Sequence, residues 1–595
     1  MMKKEKVNHL LKRFLIWRIR NVSDQTYMMV LAIIIGILVG LAAVVLKNSV
    51  HFIRLLVIQW FPDASGNFLF IVSPAIGILL AVFFLRYFIG KKLPAGVPMV
   101  LQSKATQKGQ IERHNMFSHL ITSALTVGFG GSAGLEGPTI ATGSAIGSNL
   151  GQLFRLKQKQ IILLLGCACT GAMASIFKAP VAAIVFALEV IMLDLTMSSL
   201  IPLLLASISA VLTSYLFLGD NIIYFVDKID PFLMGDIPFF IVLGILAALI
   251  SVYFSKVYLW IIKRFDKIQS WLKRFLIGGL SLGLLIFMFP SLYGEGFEEI
   301  NACLHGDISL MFKNTVYYNF SDQIPVIIAV FAAVILLKVF ATGVTIGAGG
   351  VGGVFAPSLF LGANLGLLMA LIVNWLGFEV SYTNMALLGM AGTIAGVNHA
   401  PLTAIFLIAE ITGGYSLFIP LMIVSTFSYL VAKWFMPNSI YTHQLAKRGE
   451  LITHHKDKAV LLMMKLDELI ETNFISIKSD DSMRDLIYAI ERSSRNIYPV
   501  VDSNGKFEGI VFLDHIRHLM FKQELYDTTY VRDLMYMPSP LVNINEAVEK
   551  VAEKFQDSGH YNLPVVDNDF KYIGFISRAK VFSNYRRLSK KYSEH

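Results

Sequence analysis

Charged side chains are scarce in this sequence: Asp, Glu, Lys and Arg together make up only 15% of its 595 residues. Soluble domains carry about 25%, which argues against an ordinary cytosolic enzyme. Several stretches lack charge over roughly 20 residues, the length that a helix needs to cross a bilayer. These stretches are residues 27–46, 197–219, 237–255 and 275–294. The sequence therefore predicts a protein that crosses a membrane several times.

Cysteine is also rare, with three residues in the whole chain. Two of them, Cys167 and Cys169, lie in an apolar stretch, so the sequence supports neither a disulfide framework nor a zinc site.

Basic residues outnumber acidic ones, and the net charge is +10. On a soluble domain this would suggest nucleic acid, but in a membrane protein Lys and Arg keep loops on the cytoplasmic side. We therefore expect no nucleic-acid partner. The segment before the first span is basic and lacks a short apolar core with a cleavage site. We interpret residues 1–26 as a retained cytoplasmic helix and not as a signal peptide.

The composition changes after about residue 433, where an apolar, Gly-rich membrane part (27–442) gives way to a polar linker (443–465). The soluble part that follows repeats a Pro, an Asp and a Gly at one constant offset, as Pro499 and Pro564, Asp502 and Asp567, and Gly509 and Gly574. Three matches at one offset indicate an internal repeat. In the first copy, residues 474–477 predict a strand, and a helix is expected to follow it up to residue 490.

The two copies resemble a pair of soluble α/β CBS domains, at 466–525 and 526–588, with a basic tail at 589–595. Such pairs often bind adenine nucleotides, with a Ser or Thr and then a ribose-binding Asp after the repeated Gly. Here the matching positions hold Phe512 and His515 in one copy, with Asp514 one place early, and Ser577 and Lys580 in the other. The ribose-binding acid is absent from both, so the expectation is a dimerising cytoplasmic domain without a bound cofactor.

The membrane part also repeats. Gly171, Pro180 and Glu189 recur at one constant offset as Gly392, Pro401 and Glu410, and Pro138, Gly143 and Gly147 recur at a nearly equal offset as Pro357, Gly362 and Gly366. We therefore predict an all-α polytopic membrane domain of two related halves with broken helices. Similarity alone leaves open whether the halves are inverted or parallel, and we expect the inverted arrangement. Glu189 and Glu410 are expected to accept backbone hydrogen bonds inside the bundle, since buried charges need partners.

Three Gly-rich breaks precede predicted helices, at residues 94–98, 130–138 and 349–357. A Pro early in a helix with Gly just before it favours an exposed helix N-terminus. Free amides and the helix dipole at such ends attract anions. Several of these ends converging inside the membrane would hold an anion weakly enough to release it, as a transport pathway requires.

Glu136 stands out, because it places a carboxylate within one of these breaks. An ionisable residue inside the membrane is a functional candidate. Its charge can occupy the place of a transported anion, and protonation would let the side chain leave, which makes it a gate. The alternative is a carboxylate that only caps the helix at Gly137 and Pro138.

Four motifs in order carry a resemblance over residues 27–445 to the CLC chloride channels and chloride/proton antiporters. They are Gly96-Val97-Pro98, Gly134-Leu135-Glu136-Gly137-Pro138, Gly352-Gly353-Val354-Phe355-Ala356-Pro357 and Asn438-Ser439-Ile440-Tyr441. The resemblance implies a homodimer with one anion pathway per subunit and Glu136 as the gating residue. It also implies anion contacts by Ala95, Gly96, Val97, Gly134, Leu135, Gly137, Val354, Phe355, Ala356 and the hydroxyl of Tyr441.

The sequence departs from the family pattern at three positions. Ala95 replaces a Ser whose hydroxyl helps to bind the central anion, and Leu135 replaces an Arg or Lys before the gate. Val190 stands where antiporters of this family generally carry a second glutamate that relays protons. Asp194 could substitute, because it lies four positions further along the same helix face, but an exposed Asp at a helix end is the commoner reading. We therefore favour a passive, voltage-gated-type chloride channel, with a proton-coupled chloride antiporter as the alternative.

Two other classes of protein are less well supported. An intramembrane enzyme would need a nucleophile with its base, paired metal ligands or a phosphate-binding loop, and none of these motifs occurs. A CBS-linked cation transporter would line its path with several acidic residues, whereas the sequence shows one Glu among the helix starts. We expect a multi-pass protein of the cell inner or plasma membrane, with the N-terminus and CBS domains in the cytoplasm.

Overall fold

The computed structural model describes residues 13, 15–18, 20–60, 67–91, 93–193, 197–219, 224, 226, 229–307, 312, 323–447, 461, 464–538 and 540–593. Most of the predicted N-terminal helix, most of the linker and Asp194 lie outside these residues. The chain divides between residues 451 and 452 into a membrane unit and a soluble unit.

The membrane unit is helical, and among the described residues nine helices are long and apolar enough to cross a bilayer. Its helices are α1 Asp24–Trp60, α2 Asn67–Phe84, α3 Gly96–Thr106, α4 Asn115–Gly128, α5 Glu136–Leu153, α6 Gln158–Phe177, α7 Pro180–Glu189, α8 Met197–Leu218, α9 Ile237–Asp266, α10 Trp271–Met288, α11 Phe297–His305, α12 Ile324–Gly347, α13 Phe355–Trp375, α14 Tyr382–Asn398, α15 Pro401–Ile411, α16 Phe418–Phe435 and α17 His443–Lys447.

The predicted span at 275–294 was wrong at its end. The helix stops at Met288, and a single turn, Pro290–Leu292, follows it. A residue before a Pro is pushed away from helical dihedrals, and Phe289 accordingly has φ −133° and ψ 84°. Gly294 then adopts a left-handed φ of 60°, so this segment forms a loop instead of a last helical turn.

The predicted repeat of the membrane part is confirmed, because α5 to α8 recur in the same order as α13 to α16. The match extends to single residues. Lys178 ends α6 with φ 55° and His399 ends α14 with φ 56°. In each half an Ala and then a Pro follow, and the Pro opens a short helix. The flanking helices also correspond, since α1 packs against α6 and α8 while α9 packs against α14 and α16.

A carboxylate from each half caps a helix of the other half. Glu189 at the end of α7 accepts hydrogen bonds from the backbone N–H groups of Leu402 (3.1 Å) and Thr403 (2.8 Å) at the start of α15. Glu410 at the end of α15 accepts from Val181 (2.9 Å) and Ala182 (2.8 Å) at the start of α7. The first N–H groups of a helix have no partner within it, so both carboxylates satisfy donors that their own helix leaves unpaired. The predicted hydrogen-bonding role of both residues is confirmed.

The halves also meet at equivalent glycines. Gly134 and Gly353, which occupy matching positions of the repeat, form an antiparallel bridge. The Gly134 N–H donates to the Gly353 carbonyl at 2.9 Å, and the Gly353 N–H donates back at 2.6 Å. Equivalent residues that pair with each other in opposite directions show a two-fold relation between the halves at this contact.

The soluble unit contains two sheets of mixed strand direction. Its strands are β1 Ile470–Glu471, β2 Ile477–Lys478, β3 Ile497–Val501, β4 Phe507–Phe512, β5 Val542–Asn543, β6 Asn562–Val566 and β7 Tyr572–Ser577. Its helices are α18 Met483–Glu491, α19 Leu513–Ile516, α20 Val531–Leu534, α21 Val548–Ser558 and α22 Arg578–Ser593. The sheet orders are β2-β3-β4 and β1-β7-β6-β5.

The predicted strand at 474–477 was largely wrong, because only Ile477 belongs to a strand, β2. Phe474 does not continue the strand but packs its ring against that of Phe575, with centroids 4.7 Å apart. The apolar residues of this segment therefore do not indicate strand pairing, and Ile475 is exposed.

The two soluble copies contact each other at equivalent positions. The Phe507 N–H donates to the Phe570 carbonyl at 2.8 Å, and the Tyr572 N–H donates to the Gly505 carbonyl at 3.0 Å. Positions 505 and 570 correspond in the two copies, as do positions 507 and 572, because both pairs have the offset of the repeat. These bonds are therefore the two halves of one symmetric contact.

The reciprocal caps make a prediction about stability. Replacing Glu410 by Ala removes the partner of the Val181 and Ala182 N–H groups at the start of α7, which we expect to cost about 2 kcal/mol. The melting temperature of the purified protein in detergent should fall. Glu410→Gln keeps one acceptor oxygen, so its melting temperature should lie between those of the wild type and Glu410→Ala. The control is Glu379→Ala, which removes an exposed carboxylate. Equal melting temperatures for Glu410→Ala and this control would contradict the capping role.

Candidate functional site

Three helices begin next to one another at the centre of the membrane unit. Helix α3 starts after Ala95, α5 starts at Glu136 and α13 starts at Phe355. These starts coincide with the three Gly-rich breaks of the sequence. The first N–H groups of each helix have no partner within their own helix.

Glycines bring these helix starts into backbone contact. A Cβ placed on Gly96 would lie 2.4 Å from the Gly137 carbonyl oxygen, and one on Gly353 would lie 2.9 Å from the Gly137 nitrogen. Contacts this short leave no room for a side chain. The glycines are therefore required for the approach of the backbones, and the starts of α3, α5 and α13 converge as the sequence led us to expect.

The Glu136 carboxylate lies inside this convergence and is only 1% exposed. It interacts with the backbone amides of Glu136 and Ala356, yet neither of its oxygens forms a hydrogen bond of normal geometry with any described residue. A Cβ on Gly134 would lie 2.1 Å from its Oε2. Helix amides thus surround the carboxylate without holding it in a well-formed cap.

The other predicted anion contacts differ in exposure. Ala95 is exposed, Gly96 is partly buried and Val97 is buried. Leu135, Val354 and Ala356 are also buried. The ring of Phe355 packs between two further aromatic rings, with centroids 5.3 Å from Phe177 and 6.4 Å from Phe186. This packing fixes the residue that opens α13.

Tyr441 follows the last long helix and is buried, at 7% exposure. The preceding residue anchors the chain, because the Ile440 N–H donates to the Val397 carbonyl at 3.3 Å. The Tyr441 phenol lies near enough to Glu136 for the two groups to interact electrostatically. Tyr441 and Glu136 are therefore close enough to influence each other's charge.

A second acidic residue, which sequence reasoning missed, lies beside Glu136. Glu295 accepts a hydrogen bond from the Leu135 N–H at 3.3 Å through its Oε1, although it is far from Glu136 in the sequence. The expectation of one Glu among the helix starts was therefore wrong. Its position between two glycines, Gly294 and Gly296, was the feature of the sequence that could have drawn attention to it.

Two lysines also approach the site. Lys47 on α1 donates to the Ile176 carbonyl at 2.8 Å and interacts electrostatically with both Glu136 and Glu295. Lys338 on α12 is 0% exposed. It stands at the edge of a long uncharged stretch, and this position was the feature of the sequence that could have identified it. Both lysines add positive charge near the carboxylates.

The position after Glu189 holds Val190, which is 4% exposed. Lys104 on α3 donates its ammonium group to the next two carbonyls along the chain, those of Ile191 (3.2 Å) and Met192. An apolar side chain and a lysine therefore stand where the family pattern would place a proton-relaying glutamate.

The residues that match the nucleotide-binding positions of the CBS resemblance contact other residues of the soluble unit. The Ser577 hydroxyl hydrogen-bonds to Glu471 at 2.8 Å, and the Lys580 ammonium donates to the Ile470 carbonyl at 3.2 Å. In the other copy, the Phe512 ring contacts that of His515, with centroids 5.5 Å apart. No group of three His, Cys, Asp or Glu side chains that could hold a metal occurs in the part of the chain that the structure describes.

Comparisons with known proteins agree with this architecture. Residues 76–433 match the family model described as voltage gated chloride channel, and residues 466–522 and 531–586 match the CBS domain model. The voltage-gated ClC-type chloride channel ClcB of Escherichia coli is 27% identical over 348 residues, which cover 57% of this chain and 78% of that protein. The H(+)/Cl(-) exchange transporter ClcA of Vibrio cholerae is 25% identical over 434 residues, covering 70% of this chain and 88% of that protein.

A solved structure supports the fold. The crystal structure of a slow cyanobacterial Cl-/H+ antiporter superposes with a TM-score of 0.60 at 23% identity, covering 72% of this chain and 99% of that one. The family match spans more than half of the sequence, and it agrees with the repeat, the glycine contacts and the buried Glu136. The chain therefore belongs to the CLC family of voltage-gated chloride channels and transporters, which move anions across membranes, and it carries a pair of CBS domains.

Proposed function

We propose that this protein conducts chloride passively and that Glu136 gates the pathway. The observation that carries the proposal is the Glu136 carboxylate, which is buried among the starts of α5 and α13 without a well-formed hydrogen bond to any described residue. Amide groups and helix dipoles that accept a carboxylate there can equally accept a chloride ion. The side chain and the transported anion then compete for one place.

Protonation changes this competition. A neutral Glu136 loses its attraction to the helix amides, and the absence of a fixed cap from any described residue leaves the side chain free to move aside. A glutamate held by three good hydrogen bonds, such as Glu189 with Leu402 and Thr403, would lose much more on moving. The contrast between these two residues supports a gate over a simple cap.

Passive conduction is proposed because the second proton carrier of an exchanger is missing at its usual position. Val190 has no titratable group, and the adjacent Glu189 is engaged in its cap on α15. The ammonium group of Lys104 lies on the carbonyls that follow Val190, and positive charge there opposes the entry of a proton.

Proton-coupled chloride exchange is the second candidate. It is favoured by the similarity to the exchange transporter of Vibrio cholerae and by the presence of a second carboxylate, Glu295, near Glu136. Asp194 was considered as a substitute relay on the basis of the sequence, and it lies outside the described residues.

We also propose that the protein is a homodimer with one pathway per subunit, as the family resemblance implies. The N-terminus and the CBS pair are assigned to the cytoplasm. The CBS pair is proposed to act without adenine nucleotide, because Ser577 and Lys580 are engaged with β1 and both copies lack the ribose-binding acid.

The two candidate functions are separated by measuring chloride and proton movement together. Purified protein in liposomes is given a chloride gradient at clamped voltage, with pH recorded inside the vesicles. We expect chloride flux without net proton movement, and a response to Br− or NO3− but not to the identity of the cation. Proton movement against its own gradient would establish coupled exchange and overturn the passive proposal.

The gate assignment predicts the behaviour of Glu136→Gln. Glutamine mimics the protonated side chain, so chloride flux at neutral pH should rise, and its dependence on pH should largely disappear. The control is Glu379→Gln, which neutralises an exposed carboxylate of the same unit and should retain the pH dependence of the wild type. If Glu136 only caps its helix, chloride flux through Glu136→Gln should keep the pH dependence of the wild type, and the variant should have a lower melting temperature.

A further inference from the structure

Glu295 has no role in the passive conduction proposed above, yet contacts on several sides hold it in place. It lies in a short loop, 293–296, between the turn Pro290–Leu292 and α11. Both neighbours are glycines with left-handed backbones, Gly294 at φ 60° and Gly296 at φ 86°. A Cβ on Gly296 would lie 2.5 Å from the ring of Phe360, so the loop is pressed against α13.

This loop is attached to the segment that contains the gate. The Gly294 N–H donates to the Gly130 carbonyl at 3.1 Å, and the Glu295 Oε1 accepts from the Leu135 N–H at 3.3 Å. Leu135 is the residue immediately before Glu136. The free amides at the start of α5 therefore have two carboxylates beside them, Glu136 from the helix itself and Glu295 from the loop.

A buried lysine holds the loop from its other side. Lys338 donates its ammonium group to the carbonyls of Leu292 (3.3 Å) and Gly294 (3.2 Å). Its charge lies 4.6 Å from the centre of the Phe360 ring. An ammonium group in the middle of an apolar helix is costly, so this lysine is a positioning residue whose contacts fix the backbone on which Glu295 stands.

The charged and titratable groups around Glu295 come from several elements. Glu136 on α5 repels it, Lys47 on α1 and Lys338 on α12 attract it, and the phenol of Tyr224 lies near both carboxylates. Glu299, one turn further along α11, shares Lys338 with it. Glu136 in turn interacts with Lys47 and with Tyr441. Glu136 is fully buried, whereas the side chain of Glu295 is partly exposed.

We propose that Glu295 is a second acidic residue of the gate, whose negative charge favours protonation of Glu136 and so sets the pH at which the pathway opens. This inference rests on the proposed function, because it assigns to Glu295 an effect that acts through Glu136. Two carboxylates that share a site cannot both ionise as readily as one alone. Protonation of Glu136 is therefore easier while Glu295 stays ionised beside it.

The test is the pH dependence of chloride flux in liposomes for Glu295→Gln. Glutamine keeps an acceptor oxygen for the Leu135 N–H but removes the charge. Without the repulsion Glu136 ionises more readily, so more acid is needed to protonate it. The pH of half-maximal flux should shift about one unit to lower pH, the usual scale of interaction between neighbouring carboxylates.

The matched control is Glu298→Gln, three positions further along the chain. Glu298 is exposed and pairs with Arg54 at 2.8 Å, so its neutralisation should leave the midpoint unchanged. Glu295→Asp keeps the charge and should retain most of the wild-type midpoint. This variant keeps the test decisive if the glutamine variant does not fold.

A double variant separates an effect through the gate from a general one. In the Glu136→Gln background, Glu295→Gln should cause no further shift, because the group on which it acts has gone. An equal shift in both backgrounds, or no shift beyond that of Glu298→Gln, would overturn the proposal while leaving the anion pathway intact. Absence of chloride flux from the wild-type protein at every pH would overturn the proposed function and this inference with it.

Discussion

The structure of the membrane unit depends on one constraint: helices that begin inside a membrane expose N–H groups that have no water to bond. Each such group must find a partner or lie beside a cavity. At α7 and α15 the partners are carboxylates from the opposite half, Glu410 and Glu189. Before α5 and α13, the antiparallel bridge uses the N–H groups of Gly134 and Gly353. The first N–H groups of the helices themselves take no part in this bridge and can face an anion.

The same residue type thus has two roles, and geometry decides between them. Glu189 and Glu410 are satisfied by two or more hydrogen bonds each and stabilise the contact between the halves. Glu136 occupies a similar electrostatic environment without such bonds to any described residue. A charge that is attracted but not held by hydrogen bonds can be displaced by another anion, and for this reason we propose that these helix ends form the transport site.

Much of this arrangement could be predicted from the sequence because its signals are local or repeated. The constant offset of the repeat showed that Glu189 and Glu410 are equivalent residues. The glycines followed by a proline indicated where α5 and α13 begin. The contact of Glu295 with Leu135 could not be predicted, because it depends on how α11 and the preceding loop fold back over the site. Lys104 and Lys338 escaped notice for the same reason, since no spacing reveals which carbonyls a long side chain will reach. The errors at 289–294 and 474–476 had local causes: a proline ended the helix at the first place, and at the second the ring of Phe474 packs against Phe575 instead of continuing a strand.

The central claim is that the amides at the start of α13 and the Glu136 carboxylate mark one anion site. The most direct measurement is anomalous diffraction from crystals of the wild type and of Glu136→Gln grown in bromide. The account predicts a bromide peak against the amides of Phe355 and Ala356, and in the variant additional bromide density at the place of the wild-type carboxylate. Bromide that binds elsewhere in the membrane unit, with none beside these amides in either protein, would contradict it.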